Sequence, residues 1–193
     1  SNRIFKYDNI DSWCVIPNYA ASNPYSDWKL FISPPGNLTD DNIWTSNDGI
    51  HFKSLGVLGR SGDRSTAYYD PFRDVWVYSL RDYRKGIGRS RRYFASREFG
   101  GRSSRWSWTD NEPQGMQGYP RPEEWLVATN GLRRSLYSFN AVPYESLMLG
   151  VMEVLYNTPR DNADSEKVGL PKQTGLHFTF SRDGKTYEPR KDA

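Results

Sequence analysis

The sequence predicts an all-β fold built from short antiparallel strands. Short runs rich in Val, Ile, Phe, Tyr and Trp are bounded by Gly, Pro, Asn and Asp, which is the pattern of strands joined by tight turns. Aromatic residues make up 15% of the 193 positions, and their side chains pack well on a pleated surface. Helical periodicity is scarce. Only residues 122–129 predict a helix, a short one, because Pro122 suits a first turn and two glutamates follow it.

The strand-like runs fall into three units with a common plan. The first unit contains residues 28–32 and 42–46, and the second contains residues 65–71, 74–80 and 89–96. In the third unit, residues 144–156 form a long apolar run that predicts one strand, and residues 175–181 predict another. Units that recur at this spacing indicate stacked or radially arranged sheets.

A turn phrase closes the first and third units. Ser46–Phe52 and Ser181–Tyr187 share the order Ser-x-Asp-Gly-x-x-aromatic. Asp-Gly between two β runs is a strong hairpin signal, since Gly accepts a positive φ and Asp bonds to the turn backbone. We therefore expect Asp48 and Asp183 to be structural residues.

Four-stranded antiparallel sheets arranged around an axis are the blades of a β-propeller. We predict a single propeller-like domain over residues 1–193, with approximate blades at 13–58, 63–110 and 135–189. Because a closed propeller needs at least about four blades, the chain is predicted to be part of a larger propeller.

Composition excludes several kinds of site. The net charge is +3, from 26 basic and 23 acidic residues, which is mild for a nucleic-acid-binding domain. No apolar run is long enough for a transmembrane helix. Cys14 is the only cysteine and His51 and His177 are the only histidines, so an intrachain disulfide and a Cys- or His-rich zinc site are excluded. We expect no metal and no cofactor.

Four phrases, taken in order, resemble a known group of proteins. They are residues 62–66, 69–81, 144–150 and 178–184. Together they resemble bacterial relatives of the five-bladed propeller glycosidases of glycoside hydrolase families 32 and 43, over about residues 26–189. The resemblance implies a five-bladed propeller with a sugar site in its axial funnel, of which this chain would supply about three blades.

In such propellers the site lies where the innermost strands begin. The polar residues placed there by the predicted strands are the candidates. They are Asp63, Arg64 and Arg81 for the second unit and Asn140, Tyr144 and Glu145 for the third.

Glycoside hydrolysis needs two carboxyl groups on either side of the scissile bond. Asp63 and Glu145 are the predicted catalytic pair. Glu145 is favoured as the general acid because it begins an apolar run, and apolar surroundings raise the pKa of a carboxyl group. Arg64 and Arg81 would keep an acid ionised or grip a substrate carboxylate; Tyr144 and Asn140 would bind substrate. The structural alternatives are that Asp63 caps a turn and that Glu145 pairs with Arg81 between blades.

The predicted function is hydrolysis or binding of a glycan. Two alternatives stay open: a non-catalytic carbohydrate-binding propeller and a protein-interaction propeller. The phrases that hold the nucleophile and the acid in family 32 are absent, which keeps the non-catalytic alternative in view. We expect a carbohydrate ligand, no nucleic acid and no membrane span. A homodimer through exposed blade edges and, from the resemblance, an extracytoplasmic location are also expected.

Overall fold

The computed structural model describes residues 10–23, 27–33, 41–84, 88–108, 117–127, 135–156, 169 and 173–189. Within these ranges the chain is all-β, as predicted, and its only helical element is a single 3-10 turn at Arg102–Ser104. The strands form three separate four-stranded sheets, each antiparallel throughout. The prediction of four-stranded antiparallel sheets is confirmed.

The first sheet has its strands in chain order. They are β1 (Ser12–Pro17), β2 (Trp28–Ser33), β3 (Ile43–Ser46) and β4 (Lys53–Gly56). Trp13 pairs with Ile32 across β1 and β2, and Leu30 pairs with Trp44 across β2 and β3.

The second sheet is the central one. Its strands are β5 (Thr66–Asp70), β6 (Val75–Arg84), β7 (Gly88–Ser96) and β8 (Glu123–Val127). Strand β8 lies where the sequence predicted a helix, and that prediction is wrong. The ring of Trp125 packs edge-on against Tyr93 and Phe139, so tertiary packing overrides a weak helical preference of the first turn. The second sheet consequently extends to Val127, past the expected boundary at residue 110.

The third sheet corrects the strand assignment of the third unit. Its strands are β9 (Ser135–Tyr144), β10 (Leu147–Tyr156), β11 (Gln173–Ser181) and β12 (Glu188–Pro189). The apolar run 144–156, predicted as one strand, begins at the end of β9, turns at Glu145 and Ser146, and continues as β10. Glu145 has a φ of 50°, which lets the chain reverse within two residues. The first strand of the third sheet is therefore β9, not β10.

Two hydrophobic clusters hold the sheets together, and the second sheet contributes to both. Along β5, Ala67 and Tyr69 join the cluster shared with the first sheet, whereas Tyr68 joins the cluster shared with the third. Alternate residues of a strand point to opposite faces, so the second sheet is buried on both sides. In β6, Tyr78 is fully buried on the first side and Val77 on the second.

The third sheet buries one face and exposes the other. Phe139 and Met148 of the buried face lie in the second cluster. The opposite face carries large exposed apolar side chains: Val142, Tyr144, Val151, Leu176, Phe178 and Phe180.

Strands β1, β5 and β9 lie side by side and run in the same direction. The Ser12 hydroxyl donates to the Ser65 carbonyl at 3.3 Å, and the Ala67 amide donates to Cys14 Sγ at 3.1 Å. On the other side, Thr66 Oγ1 donates to the Phe139 carbonyl at 2.5 Å. The first strand of each sheet is therefore the inner one, and the three strands begin at a common edge, which we call the rim.

Candidate functional site

The rim is shaped on the second sheet by the turn Gly62–Ser65, which leads into β5. The Ser65 amide donates to the Gly62 carbonyl at 3.0 Å, and the Gly62 amide donates to Ser65 Oγ at 3.1 Å. The Arg81 amide donates to the same hydroxyl at 3.0 Å. Arg64 adopts a left-handed φ of 60°, a strained conformation for a side chain of this kind that often marks functional sites.

Asp63 and Arg64 face a third charged group, Arg89 of β7. Arg89 Nη1 lies 3.3 Å from Asp63 Oδ2, and Arg64 Nε lies 3.9 Å from Asp63 Oδ1. The side chain of Arg89 is only 8% exposed, whereas that of Arg64 is 49% exposed. The turn therefore presents one guanidinium to solvent and holds a second one beneath it.

Tyr137 of β9 brings the third sheet to the rim. The guanidinium carbon of Arg89 lies 4.7 Å from the centre of the Tyr137 ring, and that of Arg64 lies 5.3 Å from it. Cations at this distance are attracted by the face of an aromatic ring. Interaction with Tyr137, partly opposed by burial, raises the pKa of Arg64 above its ordinary value.

Arg91 lies under this surface and ties the two sheets together. It is fully buried, and its guanidinium donates to the backbone carbonyls of Arg64 and Tyr137. Burial lowers the pKa of Arg91 to about 9, and repulsion from Arg81 and Arg89 acts in the same direction. The strand register explains this repulsion, because Arg81 pairs directly with Arg91 across β6 and β7.

A groove of about 170 Å³ runs along the inner strands beyond the rim, toward the ends of β1 and β9. It is lined by β1, β5 and β9, including Tyr69 and Asn140, and by Tyr19 in the turn after β1. Asn140 is exposed and uses its Oδ1 to accept a hydrogen bond from the Ala141 amide at 2.9 Å. Asn140, one of the predicted substrate-binding residues of the third unit, thus lies on the inner strand β9 and lines the groove.

The structure brings Asp63, Arg64 and Arg81 to the rim but places Tyr144 and Glu145 elsewhere. Tyr137 marks the rim on β9, and Glu145 follows it by eight positions along the strand and its turn. At about 3.3 Å per residue that is roughly 26 Å. The expected opposition of Asp63 and Glu145 rested on β10 being the inner strand. With β9 in that position, Glu145 lies in the exposed hairpin turn at the opposite end.

Sequence reasoning missed Tyr137, Arg89, Arg91 and Glu153. Glu153 of β10 interacts electrostatically with both Arg64 and Arg91. Alternation in residues 135–140 could have revealed β9, but Pro143 follows closely and argues against a strand that continues to Tyr144. Arg89 and Arg91 lie in the charged run 84–92, which has the composition of a solvated surface, although both are buried.

The aspartates of the two Ser-x-Asp-Gly turns, Asp48 and Asp183, form hydrogen bonds with the backbone of their own turns. Asp48 Oδ1 accepts hydrogen bonds from the Ile50 and His51 amides, both at 2.8 Å. Asp183 Oδ1 does the same for Lys185 and Thr186, at 2.8 and 2.7 Å. The predicted structural role of both aspartates is confirmed.

Cys14 offers no thiolate at neutral pH. Burial raises the pKa of its thiol to about 12, against the lowering effect of hydrogen bonds with the Ala67 and Phe31 backbone. Nucleophilic attack by a cysteine requires the thiolate.

Among the described residues, no group of three or more His, Cys, Asp or Glu side chains is placed to hold a metal ion. The same part of the chain contains no helix long and apolar enough to cross a bilayer.

No protein-family model matches the chain, and no curated protein matches it. Among solved structures, the chain is similar to one titled Bacteroides ovatus xyloglucan PUL GH43B. The identity is 12% and the TM-score 0.38, over 100% of this chain and 42% of the other. The chain thus spans less than half the length of that protein, and a likeness at this level assigns neither a family nor a function.

Proposed function

We propose that the rim and the groove farther along the inner strands form a carbohydrate-binding site. The observation that carries the proposal is the convergence of Asp63, Arg64 and Tyr137 where the inner strands of two sheets begin. Sugar hydroxyl groups both donate and accept hydrogen bonds, and a neighbouring carboxylate and guanidinium supply acceptors and donors to match.

The groove offers room for further sugar rings beyond the rim. Tyr19 is 42% exposed and lines the groove together with Asn140. An exposed aromatic ring gives an apolar surface with a polar tip, and the amide of Asn140 adds a donor and an acceptor. A chain bound at Arg64 would run along β5 and β9 toward Tyr19.

Binding is tested by titrating soluble oligosaccharides and polysaccharides into the protein, followed by calorimetry. Asp63→Asn and Arg64→Gln are expected to weaken binding about tenfold each, since hydrogen bonds to charged groups contribute about 1.5–3 kcal/mol. Arg182→Gln, an exposed arginine in the Ser181–Tyr187 turn, is the matched control and should bind like the parent. Equal binding by all four proteins would refute the proposed site.

Hydrolysis is a second candidate function, favoured by one observation. Asp63 and Glu153 both interact electrostatically with Arg64 and Arg91, so two carboxylates share one pair of arginines. Glycoside hydrolysis uses two carboxyl groups about 5–10 Å apart. In this proposal Asp63, ion-paired with Arg89, is the base or nucleophile and Glu153 is the acid.

A panel of aryl glycosides tests the second candidate, with Asp63→Asn, Glu153→Gln and Glu145→Gln measured side by side. Turnover that falls at least about a hundredfold in the first two variants and persists in the third would support hydrolysis at the rim. Loss of turnover in Glu145→Gln alone would support Glu145 as the general acid, as the sequence predicted. Turnover in none of the proteins would leave binding as the function.

Two further expectations accompany the carbohydrate proposal. An extracytoplasmic location is tested by cell fractionation. Pairing of two copies through exposed sheet edges is tested by light scattering over a range of protein concentrations, where a mass that stays at 22.3 kDa would argue against a dimer.

A further inference from the structure

Positive charge exceeds negative charge at the rim, among the residues that the structure describes. The cluster contains four guanidinium groups and two carboxylates that interact electrostatically with one another. The guanidinium groups are those of Arg64, Arg81, Arg89 and Arg91, and the carboxylates are those of Asp63 and Glu153. With all six groups charged, the cluster carries an excess of two positive charges.

The excess is concentrated at Arg91, which makes no ion pair with any described residue. Its two terminal nitrogens donate to neutral backbone carbonyls, and its Nε has no hydrogen-bond partner. Burial lowers its pKa to about 9; the attraction of Asp63 and Glu153 offsets only part of the effect of burial and of repulsion from Arg81 and Arg89. A buried cation that nearby carboxylates neutralise only in part creates a positive potential at the nearest accessible surface.

Arg81 extends this potential toward solvent. It is partly exposed, and its buried Nε also lacks a hydrogen-bond partner. The stem of Arg81 is confined by Gly62, where an added Cβ would lie only 3.1 Å from Arg81 Cβ. The stem of Arg81 is thus packed against the Gly62–Ser65 turn that presents Arg64, and the Arg81 amide donates to Ser65 Oγ of the same turn.

Arg64 supplies the accessible guanidinium. Half of its side chain is exposed, and Tyr137 fixes its position from the other side. The carboxylate of Asp63 lies closer to Arg89, at 3.3 Å, than to Arg64 Nε, at 3.9 Å, so Asp63 only partly neutralises Arg64. A guanidinium held in this way is suited to bidentate recognition of a carboxylate.

We propose that the carbohydrate bound at the rim carries a carboxylate, as in a uronic acid residue, and that Arg64 and Arg81 bind that group. This inference rests on the proposed carbohydrate-binding function and specifies its ligand class. Asp63 and Glu153 face the same region and would repel the anion, but Arg89 and Arg91 are placed to offset them.

The test compares three matched sets of oligosaccharides by calorimetry at low ionic strength. One set consists of oligouronates, the second of the same oligomers with the carboxyl groups reduced to alcohols, and the third of sulfated neutral oligomers. We expect the oligouronates to bind roughly tenfold more tightly than the reduced oligomers, a factor that corresponds to about 1.4 kcal/mol. That preference should shrink as salt is raised, because salt screens exposed charges.

Variants assign the preference to named residues. Arg64→Gln and Arg81→Gln should each weaken binding of the oligouronates more than binding of the reduced oligomers, so that the preference for the oligouronates shrinks, while Arg182→Gln should keep the full preference. Circular dichroism and thermal unfolding of each variant confirm that it is folded, and Arg64→Lys should restore part of the preference if charge alone contributes.

Three outcomes would overturn the inference, and they are distinguishable. Equal binding of oligouronates and reduced oligomers would refute the carboxylate and leave the carbohydrate site standing. Tighter binding of the sulfated set than of the oligouronates would replace carboxylate by sulfate as the ligand group. Binding of none of the three sets would remove the proposed carbohydrate function together with the inference.

Discussion

Arg73 Nη2 donates to the carbonyl oxygen of Gly184 at 2.7 Å and thereby joins the β5–β6 turn of the second sheet to the closing turn of the third. The same guanidinium donates to Asp70 Oδ2 at 2.7 Å and to the Tyr93 hydroxyl at 2.9 Å. The Asp70 side chain is only 1% exposed. One arginine therefore satisfies a buried carboxylate and connects two sheets at once.

Replacing Arg73 should destabilise the fold strongly. Arg73→Met keeps part of the apolar stem but leaves the Asp70 carboxylate buried without its cation, and breaking a buried pair in this way costs about 3–5 kcal/mol. Urea unfolding monitored by tryptophan fluorescence measures the change. Arg182→Met, at an exposed turn position, is the control and should stay within about 0.5 kcal/mol of the parent. A similar small effect for Arg73→Met would show that the contact with Gly184 contributes little.

Gly184 itself should resist substitution for two separate reasons. Its φ is 67°, and an added Cβ would collide with the Asp70 carboxylate and with the Arg73 guanidinium. Gly56 has a φ of 101° and no heavy atom within 4 Å of an added Cβ, so Gly56→Ala measures the conformational cost alone. We expect Gly56→Ala to cost about 1–2 kcal/mol and Gly184→Ala to cost clearly more in the same unfolding assay. Equal costs would show that Asp70 and Arg73 move aside freely.

The Asp183 turn should contribute stability that depends on pH. Partial burial raises the pKa of its carboxyl group, but hydrogen bonds from Thr186, Lys185 and Ser181 outweigh burial and hold the pKa well below its ordinary value of 3.8. A carboxyl whose pKa is lowered by folding stabilises the folded state fully at pH values above its unfolded pKa, and this stabilisation is lost progressively as the pH falls from that value toward the lower folded pKa.

Asp183→Ala should therefore lose more stability at pH 6 than at pH 3, as measured by urea unfolding at both values. The loss includes the pH-independent hydrogen bonds of the turn, so the difference between the two pH values is the informative quantity. Glu98→Ala is the control because Glu98 is an exposed acid outside this turn; it should show a smaller difference. A loss for Asp183→Ala that is the same at both pH values would contradict the argument.

The sequence predicted the sheets better than it predicted the site. A run of strand-favouring residues such as Trp76, Val77 and Tyr78 is a local property, and the turn phrases at Asp48 and Asp183 carry their own hydrogen-bonding pattern. Both features can be recognised in the sequence without knowing which sheets lie next to each other. Strand β8 escaped prediction because its position depends on contacts of Trp125 with Tyr93 and Phe139, which are far away in the sequence.

Predicting the site required knowing which strand of each sheet is innermost, and the packing between sheets decides that. Asp63 and Arg64 were identified because β5 was recognised as the first strand of its unit. Glu145 was placed at the rim because β9 was not recognised, although the assignment of β9 moves Glu145 to the far end of the strand. Arg89 and Arg91 gave no sequence signal of burial, since interspersed glycine, serine and tyrosine resemble an exposed strand and turn.

Glu145 itself provides the sharpest test of the revised strand assignment. It is exposed and has a φ of 50°, whereas Ser146, the other residue of the turn, does not have a positive φ. A left-handed conformation costs a side-chain-bearing residue about 1–2 kcal/mol, which glycine avoids, and the greater chain entropy of glycine offsets about 0.5–1 kcal/mol of that gain. Glu145→Gly should thus raise the free energy of unfolding slightly, whereas Ser146→Gly should lower it. Both variants should bind carbohydrate like the parent, because neither side chain lines the groove and the turn lies roughly 26 Å along β9 from Tyr137. A Glu145→Gly protein that is folded but binds no carbohydrate would return Glu145 to the site and refute the placement of the rim at Asp63 and Arg64.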